Sequence, residues 1–237
     1  MQEFKIRASK AGELLTNPRT KTESLSSTTK TMVKTWLKET LYKRKSFKGN
    51  KYTDKGNYNE EEGVTLLALK FGVWLDTNTT YQENEYMCGT CDINHNEKGI
   101  WDIKNSYSLD TFPMFETELP NKEYADQVNV YQHLYNNHKG GVAYVLTDLP
   151  DELLEKELKW LQTDNEKQER ALGFIYSAEN WKRVKDKYFS TADEIEFVEI
   201  PQDKRVKCFE VKYDAEKIKK IEERVKEIRK YIEELVN

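Results

Sequence analysis

The stretch GTCDINHNEKGIWDIKN, Gly89 to Asn105, carries two aspartates and a lysine at a spacing that can do chemistry. After Asp92 and nine further residues comes Asp102-Ile103-Lys104. In a strand, residues i and i+2 point to the same face. Asp102 and Lys104 therefore share one face, and Trp101, Ile103 and Asn105 take the other. Asn94, Asn96 and Gly99 lie between the apolar Ile93 and Ile100, the composition of a hairpin turn that folds the chain back antiparallel. Such a hairpin brings Asp92 beside Asp102. Two carboxylates held close repel each other, a cost a divalent cation with oxygen ligands offsets, and Mg²⁺ is the default. A lysine beside that metal completes a set able to cleave a phosphodiester.

The elements that must position these residues follow from the flanking chain. Upstream, KGNYNEEEGVTLLALKFG, residues 55 to 72, reads as one helix with acids at its start. Glu60, Val64, Leu67 and Phe71 fall on one stripe, which directs Glu60 toward the core, where a carboxylate needs a partner or a metal. Glu61 and Glu62 compete for that role, although acids also favour helix N-termini through the dipole. Downstream, Ser106 to Pro120 reads as an apolar loop of the kind that often carries substrate contacts. Residues 121 to 138 read as a helix opened by Asn121, with Gln127, Tyr131 and Leu134 on one face. Val142 to Leu146 then reads as a buried strand, and a helix between two strands is the crossover of a mixed sheet.

The outer parts are plainer. Lys5 to Leu15 reads as a short strand or loop and then a helix, with Ser9 as its N-cap. A polar linker, 20 to 29, precedes a helix carrying Met32, Val33, Trp36, Leu37 and Leu41. The cationic run Lys43 to Lys55 reads as an irregular loop able to follow a phosphate backbone. Toward the C-terminus, 151 to 162 and about 166 to 188 read as helices, and Arg205 to Lys212 as an edge strand. From Asp214, Ile218, Ile221, Val225, Ile228, Ile232 and Leu235 form a narrow stripe, as in a helix packed on a domain or a short coiled coil.

In order, Glu60, Asp92, Asp102-x-Lys104 and Gln127-x-x-x-Tyr131 resemble the PD-(D/E)XK nuclease superfamily, in its lambda exonuclease, YqaJ and RecB-like branch. Aspartate is permitted in the D/E slot, and Gly56 to Glu60 matches the spacing of the helical glutamate in that branch. The resemblance is strongest over residues 55 to 135. It implies an α/β fold with a restriction-endonuclease-like core, a mixed central β-sheet flanked by helices, and extra N- and C-terminal helices. It implies one nuclease domain over 1–237: a basic N-terminal helical segment (1–56), a catalytic core (57–147), and a helical extension with a strand and C-terminal helix (148–237). It also implies Mg²⁺, with Mn²⁺ as a substitute, held by Glu60, Asp92, Asp102 and the Ile103 carbonyl, with Lys104 and Gln127 completing the catalytic set.

The expected activity is a Mg²⁺-dependent deoxyribonuclease degrading linear duplex DNA, 5′ to 3′, in phage-type recombination. Relatives of this kind are often trimeric rings that work with a single-strand annealing protein. Arg7, Lys10, Arg19 and Tyr131 are the candidate DNA contacts. Two alternatives stay open, a structure-specific or restriction-like endonuclease with the same core, and a non-catalytic nucleic-acid-binding or assembly protein.

Charge and cysteine usage agree with this reading. Residues 1–56 hold 14 Lys/Arg against 5 Asp/Glu in a chain of net charge −4. That places a localised cationic region on an acidic body, as backbone contact with a polyanion requires. Cys88, Cys91 and Cys208 cannot supply the four ligands of a closed structural metal site or cluster, so packing is their expected role. No apolar run is long enough for a membrane span, the N-terminus lacks a signal-type apolar core, and the expected location is cytoplasmic.

Overall fold

The computed structural model describes residues 3–20, 22–45 and 49–237. A mixed sheet carries the centre of the molecule in the order β4-β5-β6-β7: β4 (Ile93–His95), β5 (Gly99–Asn105), β6 (Gly140–Val145) and β7 (Val206–Glu210). β4 pairs antiparallel with β5, with Ile93 opposite Trp101, so Asp92 arrives beside Asp102 as the hairpin spacing requires. Gly99 at φ +87° makes the turn into β5, a conformation that other residues adopt only at a cost. His95 Nδ1 holds that turn by accepting from the Glu97 and Lys98 N–H groups. β5 and β6 run parallel, with Asp102 opposite Val142 and Lys104 opposite Tyr144, and β7 closes the edge antiparallel to β6.

Helices cover both faces. α5 (Lys122–Leu134), opened by the Asn121 side chain, makes the crossover from β5 to β6. It packs Val128 against Val142, Tyr144 and Leu146. α4 (Glu60–Phe71) packs Val64 and Leu67 on the opposite face, against Trp101, Ala143 and Val145. Period-two alternation thus sends Asp102 and Lys104 toward α5, and Trp101 and Ile103 toward α4. Gly63 permits the close approach of α4, since a Cβ there would lie 3.1 Å from the Ile103 side chain.

A second, small sheet of β1 (Ile6–Arg7), β3 (Met87–Gly89) and β2 (Gln82–Glu83) lies in the order β1-β3-β2. Around it pack α1 (Ala11–Leu15), α2 (Ser27–Tyr42) and the C-terminal α9 (Ala215–Val236). The α9 stripe packs on the body of the protein: Ile218, Ile221, Val225, Ile228 and Ile232 are buried, while Leu235 is exposed. Burying five such side chains contributes roughly 10 kcal/mol gross. Cys88 and Cys91 are buried in the core, the packing role expected of them. Among the described residues no helix is long and apolar enough to cross a membrane.

Several expected boundaries move. Ser9 lies inside a 3-10 turn (Ala8–Lys10) and caps nothing. The polar linker ends early, because Ser26 caps α2 by accepting from the Thr29 N–H. The Lys43–Lys55 segment, part of which lies outside the described residues, already contains the start of α3 (Lys51–Tyr58), capped reciprocally by Asn50 and Thr53. The helix expected over 55–72 is two helices, α3 and α4, broken at Asn59. Beyond β6, α6 (Asp151–Leu158) is followed by α7 (Asp164–Leu172) and α8 (Ala178–Tyr188) where one long helix was expected. The break at 173–177 exists because this segment turns back onto the core. Leu149 N–H donates to Phe174 O, and Asp148 Oδ1 accepts from Tyr176 N–H.

Candidate active site

The face of β5 turned toward α5 carries a closed set of polar contacts. Gln127 Nε2 donates to Asp102 Oδ1 at 2.9 Å, and Gln127 Oε1 accepts from Lys104 Nζ at 3.1 Å. Lys104 Nζ also lies 2.7 Å from Asp102 Oδ2. One amide therefore registers both members of the Asp-x-Lys pair. Asp92, at the mouth of β4, accepts the Ile103 N–H on Oδ2 at 2.6 Å, which ties the first aspartate to the strand bearing the second.

These groups adjoin a cavity of about 600 Å³. Glu60, at the first position of α4, lines it together with Asp92, Ile103 and Lys104. The expectation that Glu60 sits on the core-facing stripe is corrected, for it is exposed. The break at Asn59 turns the first residue of α4 into the cavity instead of under the helix.

Charge and burial set the protonation of the group. Burial and the neighbouring Asp102 push the Asp92 pKa up to about 7, and Glu60 adds to that push, against the Ile103 N–H and Lys104, which lower it. Burial alone would lower the Lys104 pKa, but the carboxylates of Asp102 and Asp92 outweigh it and raise it above the ordinary lysine value. Lys104 is thus an ammonium at neutral pH, a donor and a positive charge rather than a base. The Tyr124 ring, 4.5 Å from Lys104 Nζ, steadies it from the side through a cation–π contact.

Among the described residues no three Asp, Glu, His or Cys side chains stand close enough to form a ready cage for a metal. The donor chemistry nevertheless fits a hard divalent cation. Asp102 Oδ2 is buried with only the Lys104 ammonium beside it and no hydrogen bond of acceptable geometry, so it keeps acceptor capacity for a cation. Asp92 beside it is held at a raised pKa by burial and by the charge of Asp102. A cation with oxygen ligands relieves both.

Other expected site residues stand elsewhere. Tyr131 is buried, with its hydroxyl accepting from Gln127 Nε2 at 3.1 Å, so it stands behind Gln127 and away from the surface. Arg7, Lys10 and Arg19 are exposed, and none lines the cavity; Lys10 is paired with Glu13. Sequence reasoning missed Tyr124, although it lies three residues before Gln127 on the same helical face, the one signal that could have found it. It also missed Tyr52, Tyr107 and Tyr144, which line the cavity. Tyr52 and Tyr107 meet edge to face at 5.1 Å between ring centroids.

No protein-family model matches the chain, and no curated protein does. Solved structures do. A phage-related exonuclease from Haemophilus somnus 129PT superposes with a TM-score of 0.76 at 26% identity, over 99% of this chain and 96% of that one. The alkaline exonuclease LHK-Exo from Laribacter hongkongensis shares the fold with a TM-score of 0.60 at 12% identity, over 98% of this chain and 93% of that one. The same enzyme in complex with dAMP gives 0.59 at 14% identity, over 98% and 91%. The likeness supports a phage-type exonuclease of the PD-(D/E)XK superfamily, and so a nuclease.

Proposed function

We propose, for a chain with the fold of phage-type exonucleases of the PD-(D/E)XK superfamily, a divalent-metal-dependent DNA exonuclease. In this reading all 237 residues form one nuclease unit that hydrolyses linear duplex DNA from its ends, 5′ to 3′, in phage-type recombination. One observation carries it: Asp102 and Lys104 on one face of β5, both joined to Gln127, with Asp92 bound to the Ile103 N–H beside a cavity that Glu60 also lines.

Asp92, Asp102, Glu60 and the Ile103 carbonyl would hold Mg²⁺ or Mn²⁺, which when bound supplies Lewis acidity and an activated water. Lys104, protonated and aimed by Asp102 and Gln127, donates to the charge that develops on the phosphate. Gln127 fixes the spacing between that donor and Asp102, and Tyr131 fixes Gln127. The exposed Arg7, Lys10 and Arg19 are left for phosphates outside the cavity. LHK-Exo has been crystallised with dAMP, a mononucleotide. A single-strand annealing protein and a homotrimer are the proposed partner and assembly.

The test uses the purified protein with end-labelled linear duplex and covalently closed circles, with Mg²⁺ or chelator. Release of mononucleotides from linear DNA, faster from 5′-phosphate ends and absent on circles and in chelator, is expected. Cutting of circles would make it an endonuclease. DNA binding without cleavage, unchanged by chelation, would make it a binding or assembly protein.

A further inference from the structure

Lys55 belongs to a basic run, yet it is fully buried. Its Nζ donates to Ser106 O at 2.7 Å, Tyr107 O at 3.1 Å and Thr147 O at 2.7 Å. These carbonyls lie just past the ends of β5 and β6, where the sheet ladder no longer supplies donors. Asn59, four residues on and also buried, does the same from the next turn. Its Nδ2 donates to Thr147 Oγ1 and to Asp148 O, both at 2.7 Å. Thr147 Oγ1 donates in turn to Asn105 Oδ1 at 2.6 Å, and Asn105 Nδ2 to Asn59 O at 3.3 Å. The ring of contacts is thus closed between the helix break and the end of the strand that carries Asp102 and Lys104.

A buried lysine Nζ is costly unless its donors are bonded. An apolar side chain would have filled the same space more cheaply, but it would have left three carbonyls without a donor. The location gives the cost a use. α3 and α4 are separate helices, and Glu60 is the first residue after the break between them. Apolar packing of Val64 and Leu67 holds the body of α4, but their contacts begin a turn later than Glu60.

We propose that Lys55 and Asn59 are positioning residues for Glu60, clamping the α3–α4 junction to the ends of β5 and β6 so that this carboxylate meets the metal held by Asp92 and Asp102. The proposal rests on the metal-site reading above. The clamp acts through Glu60 and touches neither metal nor DNA.

Lys55→Met keeps the length and removes the donors; Thr147→Val keeps the shape and removes the links to Asn59 and Asn105, and serves if the first variant does not fold. Each is compared with Glu60→Gln and with the double variants, by Mn²⁺ titration calorimetry and by kcat and KM on linear duplex. The expectation is a Mn²⁺ Kd raised about 10-fold and kcat lowered by roughly 10- to 100-fold, as for groups that orient metal ligands, with KM within about 2-fold. In the Glu60→Gln background the second substitution should add nothing. Unchanged Mn²⁺ affinity in folded Lys55→Met or Thr147→Val, beside weakened affinity in Glu60→Gln, overturns the clamp alone. An equal loss with and without Glu60 also overturns it, since the effect would then be general. Unchanged Mn²⁺ affinity in Glu60→Gln refutes the metal-site reading and the clamp with it.

Discussion

Asp92→Asn removes the charge of the first aspartate while keeping its shape and its acceptor for the Ile103 N–H. Burial and Asp102 raise the folded pKa of this carboxyl from 3.8 to about 7. The sign follows from linkage: a carboxyl with a raised folded pKa adds no cost below pH 3.8 and its full cost above about 7, so the metal-free protein loses stability as pH rises through that window. At about 1.4 kcal/mol per pH unit, the interval sets a ceiling of roughly 4 kcal/mol. Incomplete hydrogen bonding of the new buried amide returns about 1–2 kcal/mol of that. The net expectation is a gain of about 2 kcal/mol for metal-free Asp92→Asn near pH 8, some 4–8 °C in Tm for a chain of this size. Thermal unfolding in chelator near pH 8 and near pH 4 reads it, and the gain should vanish at the lower pH. Repeated in excess Mg²⁺, the scan should show stabilisation of the parent protein and none of the variant, which should also lose cleavage. A metal-free variant less stable than the parent near pH 8, or one that Mg²⁺ stabilises as strongly, would refute the idea that this pocket stores repulsion for a cation to relieve.

Three further outcomes test other parts of the structure. Gln127→Met breaks the bonds to both Asp102 and Lys104 and should lower kcat about 10- to 100-fold with KM little changed, by steady-state kinetics on linear duplex. Burial would raise the Glu157 pKa, but the Tyr107 hydroxyl, Arg170 and Lys51 outweigh it and lower it to about 2. Its stabilisation, about 1–2 kcal/mol after allowance for solvent screening, is present above pH 4.5 and lost as pH falls toward 2; urea unfolding of Glu157→Gln should show the deficit at pH 7 and not at the acid end. Ile221→Ala, at a fully buried position of α9, should cost about 3 kcal/mol and lower Tm by roughly 6–12 °C while the activity of the folded protein persists.

The hairpin that carries Asp92, Asp102 and Lys104 was legible because its determinants are local. Asp102 and Lys104 share a face by strand geometry, Gly99 marks the turn, and Gln127 and Tyr131 share a face by helical geometry. The α9 stripe was legible for the same reason, down to five of its six apolar positions, with Leu235 left exposed past the end of the packed surface. What escaped depended on partners distant in the chain. The helix break at Asn59 is invisible in a continuous acidic and apolar pattern, because the groups that stabilise it are Thr147 and Asp148, some ninety residues away. Gly173 to Ser177 interrupts a helical pattern for a similar reason, drawn to Leu149 and Asp148.

Sequence alone determined which residues alternate onto one face of β5, which turn and which helix follow, and hence the chemistry of a carboxylate–lysine pair. Tertiary structure decided where the supporting charges went. It left Arg7, Lys10 and Arg19 exposed away from the cavity, buried Tyr131 behind Gln127, and turned Lys55 from a basic run into the core. Periodicity reports the direction of a side chain relative to its own backbone, whereas burial of a charge depends on acceptors supplied by another segment, here the carbonyls at the ends of two strands.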